Sequence, residues 1–544
     1  MELIGLGALL PVFAILLEDN FIEKYAWAKW LYDTFQLTHE NQLIILLAVG
    51  LVITVLFKNI GGLLIVKLQS SFSLSLYRDF AVRLHEIYYH RGFPFFKNNN
   101  SNLINRNINQ ATQQFSQSVV LGTLNLLNEF VVLTIIIVSI AIYDINIIGI
   151  LATTVLPPFL IFYFWVRKKS LEIGEVRKEV QPILGRNIFQ SIFGYVDVII
   201  SGAENRFRSR IEKNVKALSD INIRGNVYNM APTRVIESSL MLAILVMIIY
   251  GVNAYDSKED LLKLLGVFAV AGYRIMPSIN RMMIAVNGLN QNKWIFEVLE
   301  PLATEKPKKI KNQPITFNQQ LSLQNIDFAY DDTADKVLNN FNLTIKKGET
   351  IGLIGPSGAG KTTVMNMLLG FLKPTAGLYL IDETPLTDTH LASFYEKVGY
   401  VQQQVYLVDG TLAENVAFGV PHAEVNKEKL KTVLEQASLS SLLEKLPEGI
   451  ETLIGENGTK LSGGQRQRVG IARALYFDAE ILFFDEATSA LDDQTEKEIV
   501  EAIDYLSGQG LTMVIIAHRL STLKGADRVI EVGAISNQNY QTYV

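Results

Sequence analysis

The sequence predicts a chain in two parts: an all-α membrane domain with six transmembrane helices, and an α/β domain of the P-loop type. Three observations support this. The first three hundred residues contain six apolar stretches, a stretch rich in proline and lysine follows, and short β-rich runs then alternate with helical runs. At 544 residues the chain is too long for one compact domain. We therefore expect a membrane domain at 1–300, a linker at 301–318 and an α/β domain at 319–544.

The composition agrees with a partly embedded chain. Hydrophobic residues make up 49% and charged residues only 19%, which is unusual for a fully soluble protein. The formal net charge of -5 argues against a nucleic-acid partner, since such proteins carry a basic surplus to neutralise phosphates. The absence of cysteine excludes disulfides, thiolate metal sites and cysteine nucleophiles.

Six stretches approach the length of about 20 residues that a spanning helix needs. They are residues 3–17, 43–66, 119–143, 147–166, 235–252 and 261–286. The first is short, but it has neither a basic leader nor a small-residue cleavage site, so a signal peptide is the weaker interpretation. We expect it to be a span whose beginning is missing.

Two long connections between the spans are rich in arginine and lysine, whereas the others carry few. The basic residues include Arg78, Arg83, Arg91, Lys97 and Arg106 in the first, and Arg167, Lys168, Lys169, Arg206, Arg208, Arg210 and Arg224 in the second. The positive-inside rule places both connections in the cytoplasm. Their apolar residues recur at roughly helical spacing, so we expect the spanning helices to continue well beyond the membrane.

The segment GPSGAGKTT follows a short apolar strand and leads into a helix, which is the context of a phosphate-binding P-loop. Its glycines let backbone amides turn towards phosphate oxygens, Lys361 supplies positive charge, and Thr362 can bind a magnesium ion. The predicted nucleotide-binding residues here are Gly355, Ser357, Gly358, Gly360, Lys361, Thr362 and Thr363.

A second strand, ILFFDE, ends in two acidic residues. Its apolar run predicts a buried strand, so the carboxylates emerge at the edge of the sheet where α/β proteins bind ligands. We expect Asp485 to organise magnesium and Glu486 to act as the catalytic acceptor that orients or deprotonates the attacking water.

Between these motifs lies LSGGQ, and this order of motifs resembles the ATP-binding cassette (ABC) proteins. The segment comprises Leu461, Ser462, Gly463, Gly464 and Gln465. Six spans followed by one cassette resemble a type IV ABC exporter half-transporter, which implies ATP and Mg²⁺ as cofactors and a dimer in which each signature segment closes over the nucleotide of the other subunit. One chain contains every motif, so the resemblance implies a homodimer.

The same resemblance suggests roles for further residues. Tyr330 resembles the aromatic that stacks on adenine, and Gln403 resembles the glutamine that contacts magnesium and senses the membrane domain. Glu456 resembles the acidic residue facing the coupling helices, and His518 resembles the catalytic switch histidine. Residues 489–492 resemble the loop that links the two sites. The proline usual before the sensing glutamine is Gln402 here, which puts the conformation of that loop in doubt.

Cations inside the predicted spans indicate a candidate substrate cavity. Arg274 and Arg281 lie two helical turns apart in YRIMPSINR, and Lys58 and Arg234 lie in or beside other spans. Charges in a bilayer need a partner, a wet cavity or a ligand. If these four line one cavity, the cargo is anionic. The alternative is that Arg274 and Arg281 pair with Glu129 or Glu237, or that Arg281 extends to the membrane interface.

YRIMPSINR also resembles the sixth-helix segment of bacterial lipid-linked oligosaccharide flippases. The resemblance implies ATP-driven flipping of an anionic amphiphile such as a polyisoprenyl-diphosphate-linked oligosaccharide, in a multi-pass protein of the bacterial inner membrane. Residues 92–98 and 203–211 resemble coupling helices. An exporter of another lipid, peptide or drug is the main alternative; a soluble ATPase acting on DNA or a nucleotide-gated channel fits less of the chain.

Overall fold

The structure is a computed structural model that describes residues 15, 21–143, 145–254, 258–306, 310–330, 335–487, 493–517 and 519–533. The chain divides into two compact units. The helical unit comprises residues 1–91 and 95–307, and the α/β unit comprises residues 92–94 and 308–544. This division falls inside the stretch predicted as the linker.

The helical unit is built from long helices joined by short ones. Its helices are α1 (Phe21–Lys24), α2 (Ala26–Thr34), α3 (Glu40–His90), α4 (Gly92–Asn98), α5 (Ser101–Asn105), α6 (Thr112–Gln114), α7 (Leu121–Tyr143), α8 (Ile145–Thr154), α9 (Leu156–Phe193), α10 (Tyr195–Ile200), α11 (Glu204–Ala254), α12 (Lys258–Gln291) and α13 (Ile295–Thr304). Two π-helical stretches, Arg106–Ala111 and Phe115–Val120, connect α5, α6 and α7.

The long helices explain how apolar and basic segments form single elements. Helix α3 has 51 residues and is therefore about 76 Å long, far more than a bilayer requires. Within the described residues, four helical segments are long and apolar enough to cross a membrane: Asn41–His90, Ser101–Ile142, Ile148–Phe193 and Glu204–Val252. They contain the second to fifth predicted spans.

The first and sixth predicted spans stay predictions. Residues 3–17 fall almost entirely outside the described part of the chain. Residues 261–286 form part of α12, which is long enough to span, although several of its side chains lie outside the described residues.

The second predicted coupling segment was wrong in its position. Residues 203–211 were expected to interrupt the hairpin, but the structure places the short helix at α10, upstream of them. A turn at Gly202, with a φ of 62°, ends that short segment, and residues from Glu204 onwards already belong to α11. Glycine adopts this left-handed conformation without the strain of a Cβ atom.

The α/β unit contains two sheets. Its strands are β1 (Gln320–Phe328), β2 (Leu338–Lys346), β3 (Thr350–Ile354), β4 (Ala376–Ile381), β5 (Thr384–Pro385), β6 (Val398–Val401), β7 (Ile481–Asp485), β8 (Thr512–Ile516) and β9 (Arg528–Glu531). Four of them form an antiparallel sheet in the order β2-β1-β4-β5, and five form a parallel sheet in the order β6-β7-β8-β3-β9.

Helices surround these sheets. They are α14 (Lys361–Leu368), α15 (Leu391–Tyr395), α16 (Leu412–Val416), α17 (Lys427–Gln436), α18 (Ser440–Lys445), α19 (Gly463–Tyr476) and α20 (Asp493–Gly508). The central strands β7 and β8 are buried almost throughout, as expected for a parallel sheet covered on both faces. Because the strands run in one direction, the segments that leave their carboxyl ends meet at one edge.

Candidate nucleotide site

The predicted P-loop connects β3 to α14. Three of its glycines are required by the backbone: Gly355 has a φ of 145°, Gly358 a φ of 83° and Gly360 a φ of 96°. A Cβ atom at Gly355 would also lie 2.4 Å from the carbonyl oxygen of Val532. A larger residue at position 355 would therefore meet both steric overlap and strain, and the loop would not keep this shape.

Lys361 starts α14 and is only 6% exposed. Its Nζ donates to the carbonyl oxygens of Gly355 at 2.7 Å and Pro356 at 3.1 Å. The amine is thus held inside the loop that it is predicted to serve, at the amino end of a helix, where the helix dipole also favours an anion. Thr362 follows with an exposed side chain, as a magnesium ligand requires.

The predicted adenine-stacking residue lies beside this loop. The hydroxyl of Tyr330 is 3.1 Å from Oγ1 of Thr363, in the first turn of α14. The Tyr330 ring also packs edge-on against Phe328, with the ring centroids 5.0 Å apart. Tyr330 is therefore next to the P-loop, and its stacking on adenine stays a prediction.

Asp485 ends β7 and is brought level with the P-loop strand by the register of the sheet. Asp485 pairs with Ile516 of β8, which pairs with Leu353 of β3. The hydroxyl of Tyr400 donates to Oδ2 of Asp485 at 3.2 Å. Burial raises the pKa of Asp485, and the negative charge of Glu486 adds to this, against the opposing effects of the Tyr400 hydrogen bond and Lys361.

Glu486 is the first residue after β7 and has a left-handed φ of 48°. Its backbone N–H donates to the carbonyl oxygen of Ile516 at 3.0 Å, so the neighbouring strand holds this unusual conformation. Nε2 of Gln403 donates to Oε2 of Glu486 at 2.8 Å. A non-glycine residue in this region costs of order 1 to 3 kcal/mol and is found mainly where function requires it. Predicted catalytic and sensing residues are thus in direct contact.

The LSGGQ segment forms the start of α19. Ser462 is the N-cap: its hydroxyl accepts from the N–H of Gln465 at 3.3 Å, and Oε1 of Gln465 accepts from the N–H of Ser462 at 2.8 Å. This capping box stabilises the helix start. Gly463 and Gly464 form the first turn and Leu461 is buried before the cap.

Two contacting residues were missed by sequence reasoning. Tyr400 binds Asp485 as described, and Gln467 of α19 donates from Nε2 to the carbonyl oxygen of Gln403 at 2.6 Å. A signal for Gln467 existed, because Gly464 and Gly470 flank it at three-residue spacing and mark the face of the helix that packs closely. The signal for Tyr400 was weaker, because it consisted only of a tyrosine hydroxyl near the end of an otherwise apolar strand.

The available donors suit a magnesium nucleotide. Thr362, Gln403 and Asp485 offer oxygen ligands, which Mg²⁺ prefers. Within the described ranges, no group of three or more His, Cys, Asp or Glu side chains could hold a metal by itself. This fits an ion that protein groups bind together with substrate phosphates rather than in an all-protein cage.

Three other predictions concern the edges of the site. Glu456 lies in the 3-10 turn Glu456–Gly458 and is exposed. His518 and residues 489–492 lie outside the described residues. The first predicted coupling segment does form a short helix, α4. Residues 92–94 group with the α/β unit, in which the rings of Phe93 and Phe371 stack with centroids 5.1 Å apart.

The four candidate cavity cations are found in different surroundings. Arg281 makes two hydrogen bonds to Glu129, from Nε at 2.6 Å and Nη2 at 3.1 Å. Arg234 pairs with Glu237 at 2.9 Å on the same helix. Among the described residues no hydrogen bond or ion pair involves the side chain of Lys58, which lies inside α3, and the side chain of Arg274 is outside them. The pair of Arg281 with Glu129 corresponds to the alternative that the sequence left open, whereas the pair of Arg234 with Glu237 was not predicted.

Residues 338–489 match the family model described as ABC transporter. An "ATP-dependent lipid A-core flippase" of Cupriavidus metallidurans is 33% identical over 392 residues, covering 69% of this chain and 64% of that protein. An "Uncharacterized ABC transporter ATP-binding protein YwjA" of Bacillus subtilis is 45% identical over 209 residues, covering 38% of this chain and 36% of that protein. The chain thus matches less than two thirds of either relative.

A solved structure extends the comparison to nearly the whole chain. "Structure of a bacterial Atm1-family ABC exporter with ATP bound" has a TM-score of 0.76 and 22% identity, covering 98% of this chain and 92% of that one.

These findings define the α/β unit as an ABC transporter domain. The chain as a whole has the fold of an ABC exporter, and it is a multi-pass membrane protein with a cytoplasmic ABC domain. The predicted resemblance to this family is confirmed.

Proposed function

We propose that this chain is one half of a homodimeric ABC exporter that hydrolyses ATP to flip an anionic lipid amphiphile across the membrane. The exporter fold, the P-loop and the relatives named flippases support the proposal. One P-loop and one LSGGQ segment occur in the sequence. A second identical copy would supply a second set of each.

Hydrolysis would use the chain's own groups in distinct roles. The P-loop amides and Lys361 would bind the outer phosphates, and Glu486 would accept a proton from the water that attacks the terminal phosphorus. The bond between that phosphorus and the bridging oxygen of ADP then breaks. A magnesium ion held by Thr362, Gln403 and Asp485 would neutralise charge on the phosphate oxygens. Most of the catalysis is positioning and charge stabilisation.

One observation carries the ATPase proposal: Glu486 is held in a left-handed conformation at the sheet edge that also holds the P-loop. The Gln403 amide donates to Oε2 of this carboxylate at 2.8 Å, and an ionised carboxylate, with about four lone-pair sites, is a suitable acceptor for the proton of a water. A solvated turn would not need the strained backbone.

The cargo class follows from the relatives and from chemistry. Relatives are named lipid A-core flippases, so a phosphorylated glycolipid is the first candidate. A polyisoprenyl-diphosphate-linked oligosaccharide has the same plan, an anionic polar head on an apolar anchor, and is the second candidate. Lys58, Arg234, Arg274 and Arg281 are the proposed contacts for such a head, because guanidinium and ammonium groups pair with phosphate.

Reconstituted flipping tests the proposal. The purified chain is placed in proteoliposomes that contain fluorescent lipid A-core or a fluorescent polyisoprenyl-diphosphate glycan, and transfer between leaflets is followed with and without ATP. We expect ATP-dependent transfer of one of these lipids, and stimulation of ATP hydrolysis by the same lipid. Transfer of neither, with stimulation by peptides or drugs instead, would contradict the lipid assignment.

A further inference from the structure

Gln467 reaches from α19 to the loop that follows β6. Its Nε2 donates to the carbonyl oxygen of Gln403 at 2.6 Å, and the residue is only 7% exposed. A hydrogen bond in such an enclosed place is not readily exchanged for one to water, and loss of its donor leaves a carbonyl unpaired. Neither the P-loop nor the LSGGQ residues make this contact.

The packing of α19 fixes this contact. Gly470 lies one turn beyond Gln467 on the same face of the helix. A Cβ atom at Gly470 would lie 2.9 Å from Cγ2 of Val405 and 3.4 Å from Cγ1 of Val401. Only a residue without a side chain lets the helix approach the 401–405 segment this closely. The close packing of α19 therefore determines which atoms the side chain of Gln467 can contact.

The contact leads directly to the predicted catalytic carboxylate. Gln403, whose carbonyl Gln467 holds, donates from its own Nε2 to Oε2 of Glu486 at 2.8 Å. The Gln403 residue is itself exposed. Holding its backbone limits where that side chain can reach, and Gln467, Gln403 and Glu486 form one chain of hydrogen bonds.

The residue at position 402 indicates why a hydrogen bond that restrains this loop is useful. A proline at this position would fix its own φ near −65° and keep the preceding residue extended. This chain has Gln402 there, so its loop lacks that restraint. Val401 already ends a strand, which is the conformation that a following proline favours. A hydrogen bond from Gln467 to the next residue restrains the same loop by another route.

We propose that Gln467 is a positioning residue for ATP hydrolysis. It holds the loop at residues 402–403 so that the Gln403 amide stays on the Glu486 carboxylate. Gln467 contacts the loop at Gln403 and belongs neither to the P-loop nor to the LSGGQ segment, so its replacement should change turnover more than nucleotide binding. This proposal rests on the proposed ATPase function.

Gln467→Met tests it in the full-length chain. Methionine keeps the approximate length of the side chain and removes the carboxamide. Because Oε1 of Gln467 is buried without a hydrogen-bond partner, the hydrogen bond that is lost is the one from Nε2. We expect kcat for ATP hydrolysis to fall by about five- to tenfold, the effect of roughly one hydrogen bond, with KM for ATP changed less than about twofold because the P-loop is intact. Adding Gln402→Pro to this variant should recover most of the lost kcat, and Gln402→Pro alone should behave like the parent.

The outcomes separate three cases. If the parent hydrolyses ATP but Gln467→Met has the same kcat, or if Gln402→Pro does not restore it, the positioning role is wrong. If KM rises as much as kcat falls, or the melting temperature falls and the proline does not recover activity, Gln467 is only structural and the proposal is again overturned. A parent chain without ATP hydrolysis would instead overturn the proposed function.

Discussion

The two units of this chain bring charged residues together by different means. In the α/β unit, Lys361 lies far in sequence from Asp485 and Glu486, but all three lie at or beyond the carboxyl ends of strands in one parallel sheet. In the helical unit, Arg281 pairs with Glu129 of another helix, whereas Arg234 pairs with Glu237 on its own helix.

This difference shows in which kind of fold a sequence motif is sufficient to predict the location of a site. Parallel strands deliver their carboxyl ends to one edge, so a motif after a strand fixes both the chemistry and the place. A helix presents side chains in every direction, and the face that meets a cavity depends on how neighbouring helices pack. A cationic side chain in a transmembrane helix therefore predicts that a partner exists, but the sequence does not identify that partner.

Lys361→Met should have the largest effect of these variants on nucleotide binding. A small effect would contradict the assignment of a phosphate site to the sheet edge of the α/β unit. The variant removes the charge buried within the P-loop, so we expect nucleotide affinity to fall by about a hundredfold or more, consistent with loss of a charged group at a phosphate site. Equilibrium binding of a fluorescent ATP analogue measures this. Unchanged affinity would show that the loop does not bind phosphate.

Arg281→Met tests whether the helical unit uses this arginine structurally. The Glu129 side chain is 6% exposed, so the variant leaves a buried carboxylate without its bidentate partner. We expect a loss of roughly 3 kcal/mol in stability, seen as a lower melting temperature in detergent. The double variant Arg281→Met/Glu129→Met should recover most of it.

Arg234→Met is the matched control, because its pair with Glu237 is exposed, at 80% for the arginine side chain. We expect less than about 1 kcal/mol from its loss. Lipid transfer then separates structure from function: a stable double variant at 281 and 129 that still moves lipid would remove Arg281 from the proposed cavity.

Two substitutions of Ser462 separate its contribution to helix stability from its contribution to ATP hydrolysis. Ser462→Ala removes the N-cap hydroxyl and should cost about 1 kcal/mol. Ser462→Asp keeps a capping acceptor, so stability should be retained, but its negative charge should repel a phosphate and reduce ATP hydrolysis well below that of the alanine variant. Equal activity of the two variants would argue that no phosphate approaches this helix end.

Glu480→Gln should give the smallest effect. Glu480 pairs with Lys347 at 2.8 Å and Lys397 at 2.9 Å, and its side chain is 33% exposed. Burial alone would raise its pKa, but the two lysine hydrogen bonds outweigh this and lower it.

The pH dependence follows from that sign. Because the folded pKa is lowered, this stabilisation is present above the unfolded value of about 4.3 and is lost as the pH falls through the folded value. We expect at most about 1 kcal/mol at neutral pH, and a smaller loss of melting temperature below pH 4 in Glu480→Gln than in the parent. If the melting temperatures of the parent and of Glu480→Gln fall in parallel with pH, Glu480 does not contribute to the pH dependence of stability.

The nucleotide site was predictable largely because its motifs depend on local geometry. Gly355 and Gly360 need positive φ values, and Ser462 with Gln465 forms a cap; each requirement appears in the sequence as a residue type at a fixed position. Gln467 was missed because the glycines that flank it indicate only a closely packed helix face; its contact depends on how α19 packs against the loop after β6.

The helical unit was predictable in its elements but not in its contacts. Apolar runs predicted the second to fifth spans, and the long α3 and α11 follow from helical periodicity that continues past the membrane. The second short helix was placed too late, because the turn at Gly202 was not recognised as its end. Glu129 could be named as one possible partner of Arg281, but only the packing of α7 against α12 selects it.

The most direct test of the account is ATP turnover by Glu486→Gln, measured beside ATP binding. The account predicts that this variant binds ATP like the parent, because the P-loop and Lys361 are unchanged, while hydrolysis falls by at least about a hundredfold, because the acceptor for the proton of the attacking water is gone. Hydrolysis at the parental rate with normal binding would contradict the assignment of Glu486 and, with it, the proposed mechanism.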